Sequence, residues 1–191
     1  PAITNKGEWN KDIYADFVHN RTSEPDIYGG AIYNERGTVG LYAATGKKIE
    51  FKGNKTGLPV GASKVDGIVN KGTLYLNRYI HIDSIDDPNP ETIDYDGTII
   101  IQNILYDGEA SYGTTSVYGG NVDVKGAIAQ ENLNIYAGTL NAEGTIAVHQ
   151  NLNIYAGTLN AKADDINFSE TFSIAEGGTL STYGNLNTLS R

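Results

Sequence analysis

The chain has no cysteine and no methionine, a single tryptophan and four phenylalanines among its 191 residues. Without cysteine there is neither a disulfide framework nor a thiolate metal site. A cysteine-free chain also suits passage through an oxidising periplasm, where an early disulfide would obstruct export. Basic residues are scarce as well: 14 Lys and Arg stand against 23 Asp and Glu, a formal net charge of −9. Phosphate recognition draws on clustered Lys and Arg, so nucleic acid is excluded as a partner and anionic membrane surfaces are disfavoured. The acidity is read as keeping an exposed surface soluble. No apolar run of about 18 residues is present, hence no membrane-spanning helix, and no signal-peptide pattern. The opening Pro-Ala-Ile-Thr, with no Met, is expected for a processed protein or an excised segment whose targeting information lies outside it.

What is abundant is turn-forming and β-forming. Glycine is found 23 times and tyrosine 13 times, while hydrophobic residues make up only 39%. Tight turns with β-branched and tyrosine residues favour an all-β chain, and a lean apolar fraction suits a long, thin core.

One repeat is nearly verbatim. NLNIYAGTLNA occupies 132–142 and again 151–161, a period of 19 residues. It divides into NLNIYA, GTLNAE and GTIAVHQ, and upstream GNVDVK (120–125) and GAIAQE (126–131) fit the same frame. Apolar residues lie two apart (Val122 and Val124, Leu133 and Ile135, Leu140 and Ala142, Ile146 and Val148), so they share one face of a strand. Asn134, Asn141 and Ala147 fall on the other face. Gly or Asn between units permits the positive φ of a sharp corner. Three short strands and three corners per coil, with coils stacked about 4.8 Å apart, describe a single-domain parallel β-helix, or β-solenoid. Gly-Thr or Gly-Asn followed by an aliphatic residue recurs at Gly37, Gly72, Gly97, Gly120, Gly138, Gly157 and Gly178. From it we expect about eight to ten coils of roughly 19–24 residues, within one domain spanning 1–191. Residues 1–115 would form longer, irregular coils with a loop near 82–97, where Pro88 and Pro90 cannot join a paired ladder. Residues 116–191 would form regular short coils.

Candidate chemistry is sparse. His19, His81 and His149 are isolated from metal-ligand partners, which argues against zinc. Asp83, Asp86 and Asp87, with Glu91, Asp94 and Asp96 beyond them, make an oxygen-rich segment open to calcium. Their spacing matches no calcium-loop pattern, so a solvated loop is the plainer reading. Glycoside hydrolysis needs two carboxylates about 5–10 Å apart. Adjacent coils could bring Asp94 and Asp123 together, whereas neighbours such as Asp164 and Asp165 point to opposite faces of a strand. No nucleophile or phosphate-loop motif is present, and the chain is expected to be non-catalytic, without cofactor. Tyr136 and Tyr155 are equivalent in the repeat and are expected to stack, with Tyr118 in line. Such a column would either stiffen the rod or offer a contact stripe for sugar or protein.

The N-terminal part adds a resemblance. GGAIYN (29–34) followed by FKGN (51–54), with ITNKGEW (3–9), ADFVHN (15–20) and GIVNKGTLYLN (67–77), resembles the GGA-I and F-x-x-N repeats of autotransporter (type V secretion) passengers. These include the polymorphic outer-membrane proteins of chlamydiae. Read physically, Gly29 and Gly30 make a corner, Ala31 fits a crowded position, Ile32 and Phe51 point inward, and Asn34 and Asn54 are candidates for an asparagine ladder. The resemblance implies a right-handed β-helix displayed at the bacterial cell surface, or secreted, with an outer-membrane barrel tethering the full-length protein. It implies display, adhesion or self-association, with a host-cell or bacterial surface protein, a glycan or another copy as partner. Two other readings are kept: a carbohydrate-active β-helix (lyase, hydrolase or phage tail-fibre type), and a self-assembling filament subunit suggested by the lack of polar caps.

Overall fold

Alternation of apolar and polar residues over four positions, closed by Gly or Asn, makes strands too short to bury a face alone, so each is stabilised by a copy above and below. A computed structural model describes residues 3–5, 8–12, 16–18, 31–52, 67–78, 95–105, 113–162 and 165–188, those up to 18 by backbone alone. It contains strands and no helix among these residues, and every strand pair given by the register is parallel.

The strands stand in three columns. The first face is built by β1 (Ile3–Asn5), β4 (Ile32–Asn34), β7 (Gly67–Asn70), β10 (Asn103–Leu105), the first part of β13 (Ile128–Ile135), the first part of β15 (Ile146–Ile154), β17 (Asp165–Phe168) and β20 (Asn185–Thr188). The second is built by β2 (Glu8–Asp12), β5 (Thr38–Tyr42), β8 (Thr73–Leu76), β11 (Thr114–Val117), the second parts of β13 and β15, and β18 (Thr171–Ile174). The third is built by β3 (Asp16–Val18), β6 (Lys48–Lys52), β9 (Thr98–Ile101), β12 (Asn121–Val124), β14 (Thr139–Ala142), β16 (Thr158–Ala161) and β19 (Thr179–Thr182). β13 and β15 run through the corner between the first two faces, which joins those faces into one sheet; their mutual register shifts between Gln130 and Asn132. This is the parallel β-solenoid expected from the repeat.

The register counts the coils. Along the first face Ile3, Ile32, Ile68, Ile104, Ile128, Ile146, Ile166 and Leu186 follow one another, at intervals of 29, 36, 36, 24, 18, 20 and 20 residues. The described residues therefore make seven coils and the first strand of an eighth, about 34 Å at the usual strand spacing. That is the lower edge of the expected number, because the first three intervals of 29, 36 and 36 residues exceed the expected 19–24 per coil. The Gly-Thr tripeptide is also not one per coil: Gly37 and Gly72 open strands of the second face, while Gly97 and its successors open strands of the third, so the third coil carries two.

The core is a set of side-chain columns. Ile32, Ile68, Ile104, Ile128, Ile146 and Ile166 form an all-isoleucine stack, buried at every rung. Val39, Leu74, Leu133 and Leu152 line the second face, and Ile49, Ile99, Val122, Leu140 and Leu159 the third. Each such side chain contributes about 1.5–3 kcal/mol by leaving water. At the corner before the third face, Gly120 and Gly138 hold φ of 63° and 73°, and Thr139 N–H donates to the Gly120 carbonyl at 2.9 Å. A Cβ on either glycine would run into the backbone of the coil below, so the corner admits no side chain.

Candidate binding face

Inside the rod the polar groups are consumed by structure. Asn34 Nδ2 donates to Asn70 Oδ1 at 2.7 Å, and Asn70 Nδ2 donates to Gln130 Oε1 at 2.8 Å, all three residues being fully buried. In the coil between Asn70 and Gln130 the chain passes as Gly113, where a Cβ would collide with the Asn70 amide and carbonyl. Glutamine, one methylene longer than asparagine, reaches Asn70 from two coils away. Thr115 Oγ1 adds a bond to Gln130 Oε1 at 3.0 Å. Asn77, at φ 58°, accepts from Ala43 N–H at 3.0 Å and donates to the Gly97 and Gly119 carbonyls at 3.0 and 2.9 Å. A buried amide so bonded is a corner clamp.

The residues singled out in the sequence fall in different places. Ala31, Ile32, Asn34 and Phe51 are all buried, whereas Gly29, Gly30 and Asn54 lie outside the described residues. Asn34 takes Asn70 as its ladder partner. Asp83, Asp86, Asp87, Glu91, Asp94, Asp164, His19 and His81 also lie outside them. Asp96 Oδ1 accepts from Gly120 N–H at 2.8 Å, and Asp123 Oδ1 accepts from Asn141 Nδ2 at 2.7 Å, so both carboxylates hold neighbouring coils. Among the described residues no three His, Asp or Glu gather as metal ligands.

The tyrosines come together. Tyr118 and Tyr136 stack at 4.7 Å and 12°, Tyr136 and Tyr155 at 4.6 Å and 2°, spacings that the strand ladder imposes. Tyr75 meets Tyr118 edge-on at 5.3 Å. The Arg78 guanidinium lies 5.0 Å from the Tyr75 ring centroid and 4.6 Å from that of Tyr118, and donates to the Tyr118 hydroxyl at 2.8 Å. Stacking occupies both faces of Tyr136 and one face each of Tyr118 and Tyr155, so the row turns phenol edges and hydroxyls outward; Tyr136 is 37% and Tyr155 39% exposed. Burial, reinforced by the flanking Tyr118 and Tyr155, holds the Tyr136 hydroxyl protonated above its ordinary range.

Tyr118, Tyr136 and Tyr155 form the third outward row of the second face. The other two rows follow from alternation: Thr73, Thr114, Asn132, Asn151 and Thr171 form one, Tyr75, Ser116, Asn134, Asn153 and Ser173 the other. Asn151 Nδ2 donates to Asn132 Oδ1 at 2.9 Å, Asn153 Nδ2 to Asn134 Oδ1 at 3.0 Å, and Ser173 Oγ to Asn153 Oδ1 at 2.7 Å. From Thr73 to Ser173 these two rows hold no charged residue. Charges stand at the corners, such as Lys71, Arg78, Glu131 and Glu170. The third face mixes an asparagine ladder (Asn160 to Asn141, 2.9 Å) with Glu50, Ile100 and Asp123. Its far corner carries Lys125, Glu143 and Lys162 in line, with Lys125 Nζ 2.9 Å from Glu143 Oε1. That hydrogen bond lowers the Glu143 carboxyl and raises the Lys125 amine from their ordinary values.

Sequence reading missed Asn70, Gln130 and Asn77. A signal existed in Ile-x-Asn at 32–34 and 68–70 and Ile-x-Gln at 128–130, but intervals of 36 and 60 residues separate it from the conspicuous 19-residue period. Compared with known proteins, the chain matches no family model, no curated protein and no solved structure.

Proposed function

We propose that the chain is a non-catalytic passenger segment of the autotransporter type, displayed at the bacterial surface or secreted, and acting in adhesion or self-association. The observation that supports this reading best is the uncharged second face: a flat, repetitive array of amides, hydroxyls and phenol edges on a rod whose buried polar groups are engaged in holding its coils. The GGAIYN and FKGN resemblance supplies the surface setting. An adhesive surface needs many equivalent weak contacts, and a solenoid supplies them at a fixed repeat. The test has two parts. Beads coated with the chain should be retained on cell monolayers above uncoated beads, and protease added to intact source cells should remove the protein. Equal retention of coated and bare beads together with full protease resistance would sink the reading.

Self-association has its own support. In the last rungs Ile174 is 44% and Leu186 43% exposed, and β18 and β19 have a partner on only one edge among the described residues. Strand edges beside exposed core side chains pair readily with a further coil or with another chain.

A further inference from the structure

We propose that the second face binds a neutral polysaccharide, a reading that rests on the adhesive role and names its ligand. Four observations lead there. First, the face holds no charge on its two central rows although the whole chain carries −9. An uncharged face offers a polycation no ion pair, and the chain's negative field repels a polyanion, so a neutral partner suits it best.

Second, its polar groups are already ordered. In the ladder, Asn151 and Asn153 each use one N–H on the coil below, and an asparagine amide has a second N–H and a further lone pair. Those groups repeat at the strand spacing of about 4.8 Å along the rod and about 6.6 Å across it. Their rotamers are fixed by folding, so little side-chain entropy remains to be lost on binding.

Third, the tyrosine row presents edges and hydroxyls, with the facing sides of its rings taken up by stacking. It extends the array of neutral donors and acceptors by one row and offers no single deep anchor.

Fourth, the aromatic and Arg side chains of this face are committed to one another, and no outward aliphatic side chain surrounds them. Protein hot spots are aromatic or Arg anchors that enter a partner's desolvated pocket within a ring of packed contacts, whereas here Tyr118, Tyr136 and Tyr155 stack on each other and Arg78 lies over Tyr75 and Tyr118. No aliphatic side chain larger than Ala points outward on this face from Thr73 to Ala175, whereas Ile100 does on the third face and Leu105 on the first. A partner whose own surface is a regular succession of uncharged hydroxyls suits these rows, through many weak contacts made together.

Affinity electrophoresis tests this directly, with the purified chain run through gels holding a β-glucan, a mannan or a galactan, and in parallel gels holding alginate or hyaluronate. At least one neutral polymer should retard the chain, and retardation should persist at about 1 M salt, where charges are screened within about 3 Å. Asn134→Lys with Asn153→Lys should weaken retardation by about tenfold or more, as an unpaired ammonium is placed in each of two ladder rungs. Asn141→Lys with Asn160→Lys makes the same charge change on the third face and should stay within about twofold. If the first pair fails to fold, Asn134→Ser with Asn153→Ser keeps a small polar group there and should still lower retardation several-fold. Retardation by the anionic polymers alone, or equal loss from both faces, overturns the proposal. No retardation by any polymer while coated beads still adhere also overturns it and leaves the adhesive reading standing. Loss of both removes the two together.

Discussion

Single residues carry unequal weight in a solenoid, because an inward polar group is shielded from water while its outward equivalent is not. Asn70 is the sharpest case. It accepts from Asn34 and donates to Gln130, so Asn70→Ala removes a bond from each of two buried amides, leaving Asn34 its longer contacts to the Gly37 and Thr73 carbonyls and Gln130 its bond from Thr115. The expected loss is about 2 kcal/mol, read as a lower urea midpoint, since each intramolecular hydrogen bond contributes about 0.5–1.5 kcal/mol. Asn132→Ala, on the outer row, should lose under about 1 kcal/mol because water replaces its partner. His149 gives a pH signature. Burial depresses its imidazole below 6.5, against the opposing pull of Glu131. Above 6.5 both folded and unfolded chains hold it neutral. As the pH falls, the unfolded chain takes up a proton that the folded chain resists, so stability declines between about pH 6.5 and the lower folded value. His149→Gln should flatten urea midpoints between about pH 7 and 5; an unchanged slope would remove His149 from this role.

At the scale of the element, the unit of construction is a coil rather than a strand. Asn132 pairs with Asn151, and the pairing continues without shift to Ile135 and Ile154. Removing residues 132–150 therefore joins Glu131 to Asn151 and excises one whole coil with every column kept in line. The shortened chain should fold, keep its β-type circular dichroism, and measure about 4.8 Å shorter by small-angle scattering. Deleting 132–141, which strips parts of two faces and breaks the columns, should give a chain without cooperative unfolding. The regular coils were legible because period-two alternation, a corner glycine and an exact repeat all mark the same boundaries. The early coils were less legible. Their strands are as short as the later ones, but intervals of 29 and 36 residues hide the fact that Ile32 and Ile68 occupy equivalent positions.

For the whole molecule, the contrast between sides and end sets behaviour. Along the sides each rung bonds to the next, and the two central outward rows of the second face are polar. The last coil is different, with Phe172 and Leu180 only partly buried, Ile174 and Leu186 open, and Tyr183 86% exposed. Sedimentation should show association that rises with concentration, and Ile174→Lys with Leu186→Lys should shift it toward monomer without lowering the melting temperature by more than a few degrees. If the double variant associates as strongly as the parent, this end is not the contact.

The sequence alone determined the strands, the corners and the inward columns of the regular coils, because alternation and positive-φ glycines are local facts that need no partner to be read. It also placed Tyr118, Tyr136 and Tyr155 at equivalent positions. Only the tertiary structure decided what those positions face. Stacking at the strand spacing turned the tyrosines edge-outward, Gln130 reached Asn70 from two coils away, and the third coil took two Gly-Thr corners instead of one. Each of these depends on which coil lies next to which, a relation between residues 18 to 60 apart in the chain. Local pattern cannot supply that relation when loops of unequal length intervene.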